Sequence, residues 1–262
     1  MAEKDLTMED DWGAKGAQAT GAQVQKFLKD QIKSLKAAQD EANPQLRAAT
    51  DGCFVIYHCK SDNIFYAVPY WEWTALEKAG EVADGVLVLI DGRTPIIVSP
   101  TGTQLKWSKN LAQVDTNVGI DFKKAYADYS GQTKTAAIMT KGVDLFGAKE
   151  EDWTQYAPAW CNAYDRSHDK GDGTMIGIGP GHWWLPSIAE LIIIWKHKYA
   201  INQCLSVISG ASPLAESKHW SSTEMSMPTT WYLDLSNGNL YSHAKNEAIL
   251  AVRAVAAYCS RL

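Results

Sequence analysis

A change of hydrophobic period between residues 187 and 245 constrains this chain more than any other feature. Ser187 and Glu190 stand in capping-box register at the head of a run in which Ile188, Leu191, Ile192, Trp195 and Tyr199 recur at spacings of 3, 4, 7 and 11. That pattern predicts one face of a buried helix, firmly started by reciprocal side-chain and backbone hydrogen bonds. Further on, Trp231, Leu233 and Leu235 alternate with Tyr232, Asp234 and Ser236. This is the two-residue rhythm of a half-buried strand, so a helix and a sheet must share one core, and an α+β fold is expected.

Asn237-Gly238 then turns the chain. Asn-Gly suits a two-residue type I′ turn, which sets Ser236 opposite Asn239, Leu235 opposite Leu240, Asp234 opposite Tyr241, Tyr232 opposite His243 and Thr230 opposite Lys245. Trp231, Leu233, Leu235, Leu240, Ser242 and Ala244 fall on one face, and the polar set on the other. Tyr232, Asp234, Asn239, Tyr241, His243 and Lys245 are the candidate ligand-binding residues. Tyrosines give contact area at low entropy cost, and short polar groups give adaptable hydrogen bonds. A plain solvated sheet face is the competing reading of the same residues.

The 262 residues are 46% hydrophobic, enough for a sizeable core, and the formal charge is −5 with 25 Lys+Arg against 30 Asp+Glu. With no basic run, nucleic acid and acidic membranes are poor partners. No basic-then-apolar leader opens the sequence, and no apolar run approaches the ~20 residues of a membrane span, so no membrane insertion is expected. Five cysteines (Cys53, Cys59, Cys161, Cys204 and Cys259) without a CxxC pair fit reduced thiols, with Cys161–Cys259 as the one bridge to check.

Five regions are expected along the chain. Residues 1–18 form a flexible or docked arm. Residues 19–40 form an amphipathic helix whose apolar stripe is Val24, Phe27, Leu28, Ile32 and Leu35. That stripe must be covered by the chain itself, by copies of it or by a larger assembly, and assembly is the preferred reading. Residues 41–50, with Pro44, read as a linker. Residues 51–81 read as a small β-rich collar with a hairpin at Ser61-Asp62-Asn63, and residues 82–262 as the main domain.

Catalysis would need convergent titratable groups. Ser221, Ser222 and Thr223 lie near His219 and Glu224 in sequence, yet no Gly-x-Ser-x-Gly elbow is present. Asp165, Asp169 and Asp172 lack EF-hand spacing. His58, Cys53 and Cys59 lack a second ligand pair at zinc spacing. No catalytic residue, metal or cofactor is expected. Glu190 and Arg253 lie inside otherwise apolar motifs, which suggests an ion pair locking helix to sheet, although capping alone explains Glu190.

Six segments, Gly85-Val-Leu-Val-Leu-Ile, Asp128-Tyr-Ser-Gly with Thr135, Trp160-Cys-Asn-Ala-Tyr, Trp184-Leu-Pro-Ser-Ile-Ala-Glu-Leu, Trp220-Ser-Ser-Thr-Glu and Val252-Arg-Ala-Val, occur in a telling order. Over about 82–258 the chain resembles the family of the C-terminal domain of the Legionella collagen-like protein, found in gut Bacteroidales and their phages. The resemblance implies a C-type-lectin-like domain whose late hairpin carries the ligand face, with Trp220, Trp231 and Arg253 as framework. Glu-Pro-Asn and Trp-Asn-Asp, the calcium-dependent sugar signatures of animal C-type lectins, are absent.

The N-terminal Trp12-Gly-Ala-Lys-Gly with Thr20-Gly-Ala-Gln-Val-Gln-Lys-Phe resembles the start of phage structural proteins. Taken together, these features lead to the expectation of a non-enzymatic bacteriophage fibre or tail-tip protein. It would be assembled in the host cytoplasm, displayed on the virion surface and joined to other virion proteins through the N-terminal helix. A homotrimer recognising a host-surface carbohydrate or protein is expected. A structural head-fibre or decoration protein and a bacterial surface adhesin are the alternatives.

Overall fold

The computed structural model describes residues 52–90, 95–114 and 119–258. The expected arm, amphipathic helix and linker lie outside the described residues, as does Cys259. Within them the fold is α+β. Strand β1 (Gly52–His58) and β2 (Phe65–Val68) form a hairpin closed at Asn63, which adopts φ 58°. Helix α1 (Tyr70–Lys78) follows, then β3 (Ala83–Leu89) and β4 (Ile96–Leu105).

The helical middle of the chain comprises α2 (Phe122–Tyr126), α3 (Gly131–Thr140), α4 (Gly142–Phe146), a 3-10 segment (Glu150–Gln155) and α5 (Ala157–Asn162). Asp121 caps α2, its carboxylate accepting from the Lys123 and Lys124 amides. The glycine-rich stretch after it folds a minimal hairpin, β5 (His168–Asp169) with β6 (Met175–Ile176). Then come β7 (Trp183–Trp184), α6 (Ile188–Leu205), β8 (Lys218–Glu224), β9 (Thr229–Asp234), β10 (Leu240–Ala244) and β11 (Leu250–Ala257).

One nine-stranded sheet orders these strands β10-β9-β8-β11-β4-β3-β1-β2, with β7 added against β11. The last strand in sequence is therefore central, antiparallel to β4 and parallel to β8 where Ala251 faces His219. Strand β3 is buried on both faces along nearly its whole length, as its apolar run from Gly85 to Leu89 requires. The stretch 51–81, expected as a separate collar, is continuous with the main sheet. Cys53 to Tyr57 of β1 pair with β3, and a hairpin alone offers too little core to stand apart.

Helix α6 begins where the capping box places it. The Glu190 carboxylate accepts from the Ser187 amide at 2.7 Å. It runs six residues past Tyr199, and its buried stripe differs from the expected one: Ile188, Leu191, Ile194, Lys198, Ile201 and Leu205 turn inward, while Tyr199 is 73% exposed. The helix is apolar almost all round between 191 and 195, so the period alone admitted two stripes.

Candidate ligand-binding face

The late hairpin forms, with a register two residues away from the type I′ expectation. Leu240 pairs with Leu233, Tyr241 with Tyr232, Ser242 with Trp231 and His243 with Thr230. Residues 235–238 make a longer loop, in which the Gly238 amide donates to the Asp234 carbonyl and Gly238 adopts φ 78°. Asp234 caps it through the Ser236 amide and hydroxyl, and Asn237 through the Asn239 amide.

Tertiary contacts select this loop. Leu235 leaves the strand to be buried, its amide donating to the Ser217 carbonyl and its carbonyl accepting from Lys198 Nζ at 3.0 Å. Gly238 lies flat on Trp195 of α6, so close that a Cβ there would meet Cζ2 at 2.4 Å. Because the slip is an even number of residues, side-chain parity survives, and Tyr232, Asp234, Tyr241 and His243 keep their common face.

On that face the six candidates separate. Tyr241 is 48% exposed, Asn239 is exposed, and Asp234 and His243 are half-buried. Tyr232 is 5% exposed, which corrects its expected place at the surface. It is the middle rung of an aromatic ladder, 6.2 Å from Trp220 edge-on and 5.8 Å from Tyr241, with Lys218 Nζ 5.5 Å from its ring centre. β10 is the sheet edge and β9 is flanked on both sides, so one tyrosine is a support and the other a contact surface.

Lys245 is corrected further: it is fully buried. Strand β10 ends at Ala244, and the Lys245 ammonium is paired with Glu224, donates to the Ala112 carbonyl at 2.8 Å and lies 4.7 Å over the Trp107 ring. Glu224 also accepts from the Val114 amide. Burial pushes the lysine below its ordinary range while Glu224 opposes that shift. Lys245 thus fastens the 107–114 loop to the hairpins.

Beside the hairpin runs a groove of about 300 Å³ lined by Gln104, Glu216, Lys218, Asp234, Ser236 and Ile249. Lys218 stands opposite Asp234 across β8 and β9. Its parity with Trp220 was a usable sequence signal. Gln104, Glu216 and Ile249 carried none, since they reach the groove from β4 and from two loops.

Three of the six resemblance motifs, those starting at Asp128, Trp184 and Trp220, meet elsewhere, in a buried polar node. Asp128 accepts from the Ser130 amide and hydroxyl, pairs with Lys134 at 3.0 Å and accepts from Thr223 Oγ1 at 2.5 Å. Thr223 Oγ1 in turn accepts from the Ile188 amide. Glu190 accepts from Ser187 and from Trp184 Nε1 and does not pair with Arg253, which correctly leaves capping as its role. Gly131 covers this carboxylate, for a Cβ at 131 would lie 2.1 Å from Oε2. Burial raises Glu190 to about 7 against the bonds it accepts. Glu190 and Trp184 also line a cleft of about 390 Å³ with Tyr129, Ser130 and Ile193.

Of the residues that hinted at catalysis, Ser221, Thr223 and His219 are held in structural hydrogen bonds, while the buried Ser222 Oγ has no hydrogen-bond partner. Ser221 Oγ donates to the Trp231 carbonyl at 2.6 Å, and His219, buried and lowered to about 4, holds the Ser217 carbonyl through Nδ1. Asp165, Asp169 and Asp172 each accept from the amide two residues ahead. Cys161 is buried and free among the described residues, while its expected partner Cys259 lies outside them.

No family model matches the chain, and no curated protein matches it. Among solved structures, a fimbrial protein from Bacteroides ovatus ATCC 8483 aligns with 15% identity and a TM-score of 0.43. The alignment covers 62% of this chain and 35% of that one.

Proposed function

We propose that this chain is a non-enzymatic virion surface protein of a Bacteroidales phage, a fibre or tail-tip component whose lectin-like domain recognises a host-surface ligand. The observation that carries the reading is the aromatic ladder that ends in exposed Tyr241 beside the mixed-charge groove of Lys218, Asp234 and Glu216. Rigid tyrosine on a sheet edge, supported from beneath, is ordered before any ligand arrives, so little entropy is lost on binding. Single contacts of this size are weak. Repeated copies, in a homotrimer joined to other virion proteins through residues 19–40, supply avidity.

The test is binding of the purified full chain to candidate host cells, with Tyr241→Ala and Lys218→Ala as surface variants. Saturable binding lost in both supports receptor recognition by this face. Absence of binding to every host, with virion incorporation intact, moves the assignment to a structural decoration protein.

A further inference from the structure

Arg253 sits in the central strand with 3% of its surface exposed. Its Nη1 donates to the Ser99 carbonyl at 3.1 Å, and Nη2 to the Ser212 and Pro213 carbonyls at 3.1 and 2.8 Å. A guanidinium has five donors, and here Nε has no hydrogen-bond partner. Among the described residues no carboxylate pairs with it. Burying a cation against carbonyl dipoles alone is costly, and burial draws its pKa down to about 10.

Arg253 lines a pocket of about 190 Å³ together with Thr103, Gln104, Ser212 and His219. Buried His219 is neutral at pH 7, so Arg253 is the cation of the pocket. Whole-ligand pockets start at ~300 Å³, so this one takes a head group and leaves the rest of a ligand outside. Gln104 and Ala251 line both this pocket and the groove beside the hairpin, so the two depressions adjoin.

Resting on the recognition reading above, we infer that Arg253 is the anchor of an anion subsite and that the ligand is a carboxylate-bearing sugar. The carboxylate supplies the missing counter-charge, in the charge-assisted geometry for which guanidinium is suited. The sugar hydroxyls, donors and acceptors at once, then lie along Gln104, Ser217, Ser236 and Asp234. An acidic peptide would bring further carboxylates up to Glu216 and Asp234 and be repelled.

Ligand-observed NMR titrations of the full chain with sodium glucuronate, glucose and acetate test this. Glucuronate saturates, glucose binds at least about tenfold more weakly, and acetate is weaker than glucuronate. Arg253→Gln weakens glucuronate at least about tenfold. Should that variant fail to fold, Ala215→Trp, an exposed rim position that leaves Arg253 untouched, closes the pocket and gives the same loss. No saturation by glucuronate, or undiminished binding in Ala215→Trp, overturns the subsite; glucuronate no tighter than acetate overturns the sugar. Flat glucuronate titrations alongside cell binding that Tyr241→Ala abolishes sink this inference and leave the recognition reading standing. Glucuronate binding without any cell binding does the reverse.

Discussion

Replacing Glu190 by Gln should invert its effect on stability across the neutral range. In the unfolded chain the carboxyl releases its proton near 4.5, whereas in the native state burial holds it to about 7. Between those values the native state binds the extra proton, so wild-type stability falls as pH rises and is flat outside the window. At 1.36 kcal/mol per unit, the difference of about 2.5 units is worth about 3 kcal/mol. Gln has nothing to titrate and keeps an oxygen to accept from the Ser187 amide, which Glu190 bonds at 2.7 Å. Relative to wild type, Glu190→Gln should therefore gain about 3 kcal/mol between pH 4.5 and pH 8.

Denaturant unfolding of both proteins at pH 4.5, 6 and 8 measures that difference, and all titrations other than Glu190 cancel in it. Parallel profiles within ~0.5 kcal/mol would refute the reasoning, because they would mean the carboxyl is as well solvated folded as unfolded.

Lys245→Met strands the buried Glu224 carboxylate and should cost about 3–5 kcal/mol, of which Lys245→Met/Glu224→Gln recovers more than half in a double-mutant cycle. Gly238→Ala adds a clash with Trp195 to the strain of φ 78°, whereas Gly210→Ala, at φ 74° with open space around it, carries the ~1 kcal/mol strain alone; thermal melts should separate the two. Tyr232→Ala removes a buried rung and should cost about 3 kcal/mol or more, while Tyr241→Ala stays within ~1 kcal/mol, so a melt of each shows which one tests binding cleanly.

The parts of this fold legible in the sequence are those fixed within a few residues. The start of α6 follows from Ser187 and Glu190, whose hydrogen bonds span one helical turn. The division of β9 and β10 into two faces follows from strand parity, which survived even a wrong turn type. Tyr241, Asp234, Asn239 and His243 were placed on their face by that rule alone.

What only tertiary structure decided is which surfaces another segment covers. Asn237-Gly238 favours a two-residue turn locally, but burying Leu235 and seating Gly238 on Trp195 outweighs that preference. Lys245 reads as a surface lysine until Glu224, Ala112 and Trp107, distant in sequence, enclose it. The merging of 51–81 with the sheet, the central position of β11 and the Arg253 pocket are likewise set by pairings between remote strands. Hydrogen bonds inside a turn and the alternation of Cβ atoms are properties of the local backbone, and the sequence specifies them directly. Burial belongs to two surfaces at once, and the second is known only when the chain has closed on itself.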